Sequence, residues 1–282
     1  VSAGYDTKQT EVHGVSQRGG SVETHVRFGE KVHSPIVTPG EAHAVIGLEK
    51  LEALRFAHYV DAKVGTMHCP RCETAVAYNE IDYVKQTDKA VFVKFKIAGE
   101  QRTSLVVWTT TPWTLPGNMG VMVNPSFEYA KVKLQNREQL IIAKELVEKI
   151  MKEIKEEGYK TVKILKGKEL EGMQYENPLS KHLNLPKFEN IYRVILSERY
   201  VNLQEGTGLV HTAPGHGKED FEEGKKAGLP IFAPVSLDGL MTKDAGKYAG
   251  KRARVVDTEI IEDLKSAGAL LHMHNYLHDY PV

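Results

Sequence analysis

From Ala90 onward the chain carries short strand-like apolar segments, with alternation at Val91, Val93 and Phe95, then Leu105-Val-Val-Trp108, Val121-Met-Val123, and Tyr129, Val132 and Leu134. Period-two patterning over a few residues, bounded by turn formers, marks strands with one face against a core. This pattern commits most of the chain to sheet. One clear helix interrupts it, because Leu146, Val147, Ile150, Met151 and Ile154 share a face, with Gly158 following as a stop. A second helix is expected from about Lys218 to Ala227, ending at Gly228-Leu-Pro230. A third starts with Asp257 as its N-cap and ends near Gly268. Strands with a few helices make an α+β fold.

The segment before about residue 62 differs. Glu11-Val-His-Gly-Val-Ser-Gln-Arg-Gly-Gly20 is rich in glycine, and a helical pattern follows through Leu48, Leu51 and Leu54. It reads as strand, glycine-rich loop, strand and helix. With 282 residues the chain accommodates one large or two modest domains. Thirty-seven basic residues balance thirty-seven acidic ones, which argues against a broad basic footprint for duplex nucleic acid and leaves room for a local site. No apolar run approaches the ~18 residues a membrane span needs, and the first residues lack the charge and apolar regions of a signal peptide. The expectation is a cytoplasmic monomer with no membrane association.

Two stretches concentrate polar chemistry. In Trp108-Thr-Thr-Thr-Pro-Trp-Thr-Leu-Pro-Gly-Asn118 three consecutive threonines meet a proline, so several hydroxyls and amides must face a turn or cleft. The structural alternative is that threonine suits a strand and Pro112 ends it. In Gly206-Thr-Gly-Leu-Val-His-Thr-Ala-Pro-Gly-His-Gly-Lys-Glu-Asp220 a strand, a glycine-rich turn and a helix start bring His211, Gly215, His216, Glu219 and Asp220 close in sequence. A carboxylate in a first helical turn also has a structural use, complementing the helix dipole by ~0.3–1 kcal/mol. The two histidines fit core or cap positions equally well.

Cys69-Pro-Arg-Cys72, with His68 beside it, is half of a zinc knuckle, and the chain has two cysteines in all. Tetrahedral closure would need further ligands, for which His68, His272, His274 and His278 are the candidates. Zinc therefore enters as an incomplete half-site on Cys69 and Cys72. The glycines from Gly14 to Gly20 match neither G-x-x-x-x-G-K-[ST] nor G-x-G-x-x-G, so a nucleotide loop is not supported there.

Trp108 to Asn118 and Gly206 to Phe221 together resemble the two signature stretches of the editing domain inserted in isoleucyl-tRNA synthetases. Cys69-Pro-Arg-Cys-Glu-Thr-Ala-Val, Lys168-Glu-Leu-Glu-Gly-Met-Gln-Tyr175 and Pro234-Val-Ser-Leu-Asp-Gly-Leu240 are similar to the same family in the same order. The resemblance covers about residues 66 to 282. It implies a β-barrel-like editing domain over 89–270, a half zinc knuckle and incoming strand over 63–88, and a return strand over 271–282. It further implies hydrolysis of the ester of valine misattached to isoleucine tRNA, with the acceptor 3′ end as partner. On that resemblance Asp220 anchors the substrate ammonium. Thr109, Thr110 and Thr111 hold the terminal ribose and water, while Trp108, Asn118, His211, Gly215 and His216 line the pocket. No cofactor is implied for editing. His-Ile-Gly-His and Lys-Met-Ser-Lys-Ser do not occur in the sequence, so editing without aminoacylation is the expectation. In the family a second Cys-x-x-Cys follows the position of Val282, so the expectation from this sequence is a half-site on Cys69 and Cys72.

Residues 1 to 62, through Ala3-Gly-Tyr-Asp-Thr-Lys-Gln-Thr-Glu-Val-His-Gly14, His25-Val-Arg-Phe-Gly-Glu-Lys-Val-His-Ser-Pro35 and Leu48-Glu-Lys-Leu-Glu-Ala-Leu54, resemble the beta subunit of indolepyruvate ferredoxin oxidoreductase. That implies a truncated α/β fragment ahead of the editing domain. It also sets up two rival readings: a subunit fragment docking on an oxidoreductase alpha subunit, and a non-catalytic module holding the tRNA acceptor end.

Overall fold

The computed structural model describes residues 6–13, 22–29, 31, 67–69, 71, 74–76 and 82–281. Contacts divide the chain into two units, Val1–Gly65 and Thr66–Val282. In the first, β1 (Asp6–His13) and β2 (Val22–Gly29) pair antiparallel, with Asp6 opposite Gly29 and His13 opposite Val22. The expected loop from Gly14 to Gly20 and the expected helix through Leu48 lie outside the described residues.

In the second unit β3 (Met67–Cys69) and β4 (Thr74–Val76) form a small hairpin of their own. Cys72 lies outside the described residues. The long strand β5 (Tyr83–Ile97) is followed by β6 (Thr103–Thr109), β7 (Gly120–Val123), β8 (Glu128–Lys133) and β9 (Gln139–Ala143). After these come β10 (Lys160–Lys166), β11 (Tyr175–Glu176), β12 (Arg193–Leu196), β13 (Leu209–Thr212) and β14 (Leu270–Pro281). One mixed sheet runs β10-β8-β9-β6-β13-β7-β12, and β5 joins it through β6 while also pairing β11 and β14.

β6 sets the curvature. One edge runs antiparallel to β5, from Ser104 opposite Lys96 to Thr109 opposite Val91. The other edge is shared, lying parallel to β9 at Thr103 to Leu105 and meeting β13 where Trp108 pairs with Val210. A strand with two partners on one edge forces the sheet to curl, giving the half-barrel of an α+β unit. Ala90 to Val93 of β5 are buried on both faces, as are Gly120 to Val123 of β7, which explains their unbroken apolar runs. Beyond them, Tyr83 to Lys89 pair with Leu277 to Pro281 and neighbouring residues of β14 as a two-stranded arm.

Among the described residues the α-helices are α1 (Val147–Glu153), the single turn α2 (Gly167–Leu170), α3 (Lys218–Lys226) and α4 (Asp257–Ser266). Ile150 and Met151 of α1 and Ile260 and Leu264 of α4 are fully buried with Phe95, Leu105, Leu140 and Ile141. Each such side chain contributes about 1.5–3 kcal/mol on burial. Two helix limits differ from the sequence expectation. α1 stops well before Gly158, because Lys155 takes the left-handed position at φ 58°. Its N–H bonds Lys152 O at 3.2 Å, and Glu156 N–H bonds Met151 O at 2.9 Å, closing the helix end without a glycine. Asp257 lies inside the first turn of α4, the cap position being Val256.

Candidate active site

Pro112 has no N–H to continue the ladder, so β6 ends at Thr109 and the chain turns into a short 3₁₀ segment, Pro112–Gly117. Thr114 N–H bonds Thr111 O at 3.0 Å, and the Thr114 hydroxyl donates to the same carbonyl at 2.8 Å. Thr109 Oγ1 accepts the Thr111 N–H at 3.1 Å and stands 3.2 Å from Thr111 Oγ1. Two of the three threonines thus face one another across the turn.

The cluster continues into β13. Asn118, wholly buried, donates from Nδ2 to Gly120 O at 2.8 Å and to His211 Nδ1 at 2.8 Å, while its Oδ1 accepts the Tyr175 hydroxyl at 2.6 Å. An amide nitrogen donates and cannot accept, so His211 Nδ1 must be the acceptor and the ring proton sits on Nε2. Nε2 then donates to Thr114 Oγ1 at 3.0 Å. Burial, with the neighbouring His216 second, brings the His211 pKa down to about 3. The imidazole is therefore neutral, of one tautomer, and engaged at both nitrogens. Such a ring positions its neighbours and is a poor proton acceptor.

Asp220 enters from the first turn of α3. Its Oδ2 accepts the Ala213 N–H at 3.0 Å, folding the carboxylate back onto the end of β13, two residues from His211. Burial raises its pKa to about 6 despite that hydrogen bond. A carboxylate so desolvated gains from a cationic partner. His216 lies edge-on to Trp113 with ring centroids 5.4 Å apart, and its buried Nε2 has no hydrogen-bond partner. Burial lowers its pKa to about 4. Gly215 is pressed against the backbone of the segment after α3: a Cβ there would stand 2.2 Å from Phe232 O and 2.8 Å from Ala233 Cα. No side chain fits. A Cβ at Gly117 would likewise stand 2.8 Å from His216 Cδ2, so the 3₁₀ segment and the turn before α3 pack closely.

The family described as leucyl-tRNA synthetase, editing domain, matches residues 87–278. The chain belongs to that editing-domain family. A second family, pyruvate ferredoxin/flavodoxin oxidoreductase, matches residues 1–68. Isoleucine–tRNA ligase of Sulfolobus acidocaldarius is 48% identical over 216 residues, which is 76% of this chain and 20% of that protein. Isoleucine–tRNA ligase of Methanothermobacter marburgensis is 49% identical over 212 residues, 75% of this chain and 19% of its own length. The chain thus spans about a fifth of the curated relatives it matches. The solved structure "The crystal structure of GlLeuRS-CP1" superposes with a TM-score of 0.52 at 14% identity, covering 64% of this chain and 97% of that one, a likeness of fold. Among the described residues no helix is long and apolar enough to cross a membrane.

Within this editing domain the hydrogen-bonded cluster gathers Thr109, Thr111, Asn118 and His211, with Asp220 and His216 at the adjoining turn. Thr110 is half-buried beside them. Trp108 is not part of the cluster. Strand alternation puts it on the face of β6 opposite Thr109, where it packs edge-on against Tyr276 at 5.2 Å and beside Gly206. Trp113 is the tryptophan that faces His216. Three members of the arrangement, Thr114, Tyr175 and Trp113, carry no role in the sequence reading. The signal was present, since each stands inside a stretch quoted for the resemblance.

The histidines considered as zinc ligands divide. His278 Nε2 is 2.9 Å from Asp88 Oδ2, itself held by Arg254 through two contacts of 2.6 Å. His272 and His274 turn instead to Glu153. Among the described residues, Cys69 joins no group of three metal-ligating side chains.

Proposed function

We propose that this chain is a post-transfer editing hydrolase, releasing valine from valyl-tRNA(Ile) without carrying out aminoacylation. The observation that carries the reading is the junction of a neutral, fully hydrogen-bonded wall, Thr109-Thr111-Thr114-His211-Asn118, with a desolvated carboxylate, Asp220, at the end of the same strand. The need for such a site is energetic. One methylene changes binding in an apolar pocket by about 1–3 kcal/mol, and isoleucine against valine is the standard case in which a second, hydrolytic sieve supplies the missing selectivity.

In this reading the α-ammonium of the aminoacyl ester pairs with Asp220, and the threonine hydroxyls receive the terminal ribose. Water attacks the ester carbon, the carbonyl oxygen carries the transient negative charge, and the ribose oxygen leaves with a proton. His211, with both nitrogens engaged, keeps Thr114 and Asn118 in place and takes no proton. His216, at a pKa of about 4, is too weak a base to drive the step at neutral pH. The substrate's own adjacent ribose hydroxyl is the group left to orient the water. In this reading the acceptor end is the partner, and a chain whose 37 basic residues balance 37 acidic ones has no overall excess of cations for duplex phosphate.

The test is release of amino acid from valyl-tRNA(Ile) and isoleucyl-tRNA(Ile) by the chain. Preferential release of valine is expected; equal release from both esters would exclude a sieve. A second reading attaches to residues 1–68 because of their own family match. Co-purification with an oxidoreductase alpha subunit would favour it, and hydrolysis unaffected by deleting those residues would separate it from editing.

A further inference from the structure

Away from the site, α1 ends on Glu153, and β14 passes beneath it carrying His272 and His274. A bulge in the β5–β14 pairing falls between Leu270 and His272, and the two histidines, two residues apart, then share one face. Both rings pack beside Phe92, each with centroids 5.9 Å from it, which limits how they can turn. His274 Nδ1 lies 2.8 Å from Glu153 Oε1, and His272 Nε2 lies 4.0 Å from the same oxygen. One donor atom from each of the three residues falls within 4.8 Å of the others.

The contact between His274 and Glu153 has an unusual character. The Nδ1 atom is buried, and although an acceptor oxygen stands at 2.8 Å the two are not aligned as a hydrogen bond. Two ligands of a common ion behave this way, because each lone pair aims at the ion and not at the other ligand. Tetrahedral bonds of about 2.0–2.2 Å place donor atoms roughly 3.3 Å apart, a value bracketed by the two distances to Oε1. Two imidazoles and a carboxylate suit a first-row divalent cation, zinc foremost, with a fourth position left to solvent.

We propose that Glu153, His272 and His274 form a divalent-metal site that clamps the end of α1 to β14, separate from the Cys69 half-knuckle and from the editing cluster. The experiment uses the full chain titrated with ZnCl₂ and CoCl₂, as wild type and as a Cys69→Ser/Cys72→Ser variant. The serine variant is expected to retain one equivalent of either metal at micromolar concentration. Its cobalt form should show d–d absorption with no thiolate charge-transfer band, and zinc should raise its melting temperature. His272→Gln and His274→Gln should each weaken binding about tenfold or more. Glu153→Gln, a partly exposed isostere at a helix end, gives the same comparison if an imidazole variant fails to fold. Loss of all metal in the serine variant would overturn the proposal. So would folded glutamine variants that bind like their parent, or binding confined to millimolar metal.

Discussion

Asn118 is the buried hub of the hydrogen-bonded cluster at the candidate site, and its removal is the most instructive perturbation. Asn118→Ala strands three groups at once: Gly120 O, His211 Nδ1 and the Tyr175 hydroxyl, bonded at 2.8, 2.8 and 2.6 Å. A buried hydrogen bond contributes about 1 kcal/mol net, and a stranded buried group costs about 1–3 kcal/mol. The expected loss is therefore at least about 3 kcal/mol. Tyr175→Phe breaks one of the three contacts and leaves Asn118 Oδ1 without its donor. The ring itself stays, stacked on Phe95 at 5.0 Å, so its cost should be about 1–3 kcal/mol. Because both changes delete the same bond, their effects should not add, and a coupling energy of about 1–2 kcal/mol is expected from the double-mutant cycle. Urea unfolding followed by tryptophan fluorescence suits the measurement. The chain's two tryptophans, Trp108 and Trp113, both lie in the unit Thr66–Val282, so the signal reports that unit. A Tyr175→Phe cost below about 0.5 kcal/mol, or strict additivity, would refute the hub.

Three further outcomes follow from the same geometry. Burial raises the Asp257 pKa to about 7 against the bond it accepts from the Trp113 amide, so the folded state holds a proton that the unfolded chain releases near its ordinary value of 3.8. That penalty grows as pH rises from about 4 to about 7; Asp257→Asn should thus match wild type in melting temperature near pH 4 and exceed it at pH 8, with a constant difference across that range counting against the assignment. Gly215→Ala would drive a Cβ to 2.2 Å from the Phe232 carbonyl, so calorimetry should show a loss of about 1–3 kcal/mol or more together with lost hydrolysis, whereas an unperturbed variant would mean the turn is not held as described. Because the ammonium needs the ionised carboxylate, kcat/KM for valyl-tRNA(Ile) should fall as pH drops through about 6, the raised pKa of Asp220, and a profile flat from pH 5 to 7.5 would contradict the anchor role.

Much of the fold was legible in the residues, for a local reason. The alternation at Val91, Val93 and Phe95 and the apolar run at Val121 to Val123 are properties of single strands, and those strands lie where the pattern placed them. The candidate site was legible as a cluster where chemistry and chain order coincide: the threonines before Pro112 and the carboxylate at the start of α3 come to adjoining turns. What escaped depends on register between distant segments. The face on which Trp108 emerges is settled by the pairing of β6, and the meeting of Tyr175 with Asn118 by the pairing of β11 with β5. The end of α1 escaped for a different reason. Lys155 accepts a left-handed conformation that a glycine would adopt more readily, and that early stop is what aims Glu153 at β14.

The central claim is that Asp220 holds the ammonium of a misacylated ester at the threonine wall. The most direct test follows release of labelled valine from valyl-tRNA(Ile) by wild type and Asp220→Ala, each checked for native circular dichroism. Loss of a charge-assisted contact of about 1.5–3 kcal/mol predicts a rate roughly 10- to 150-fold lower in the variant. No release by the wild-type chain above a buffer control, or equal release by a folded Asp220→Ala, would contradict the account.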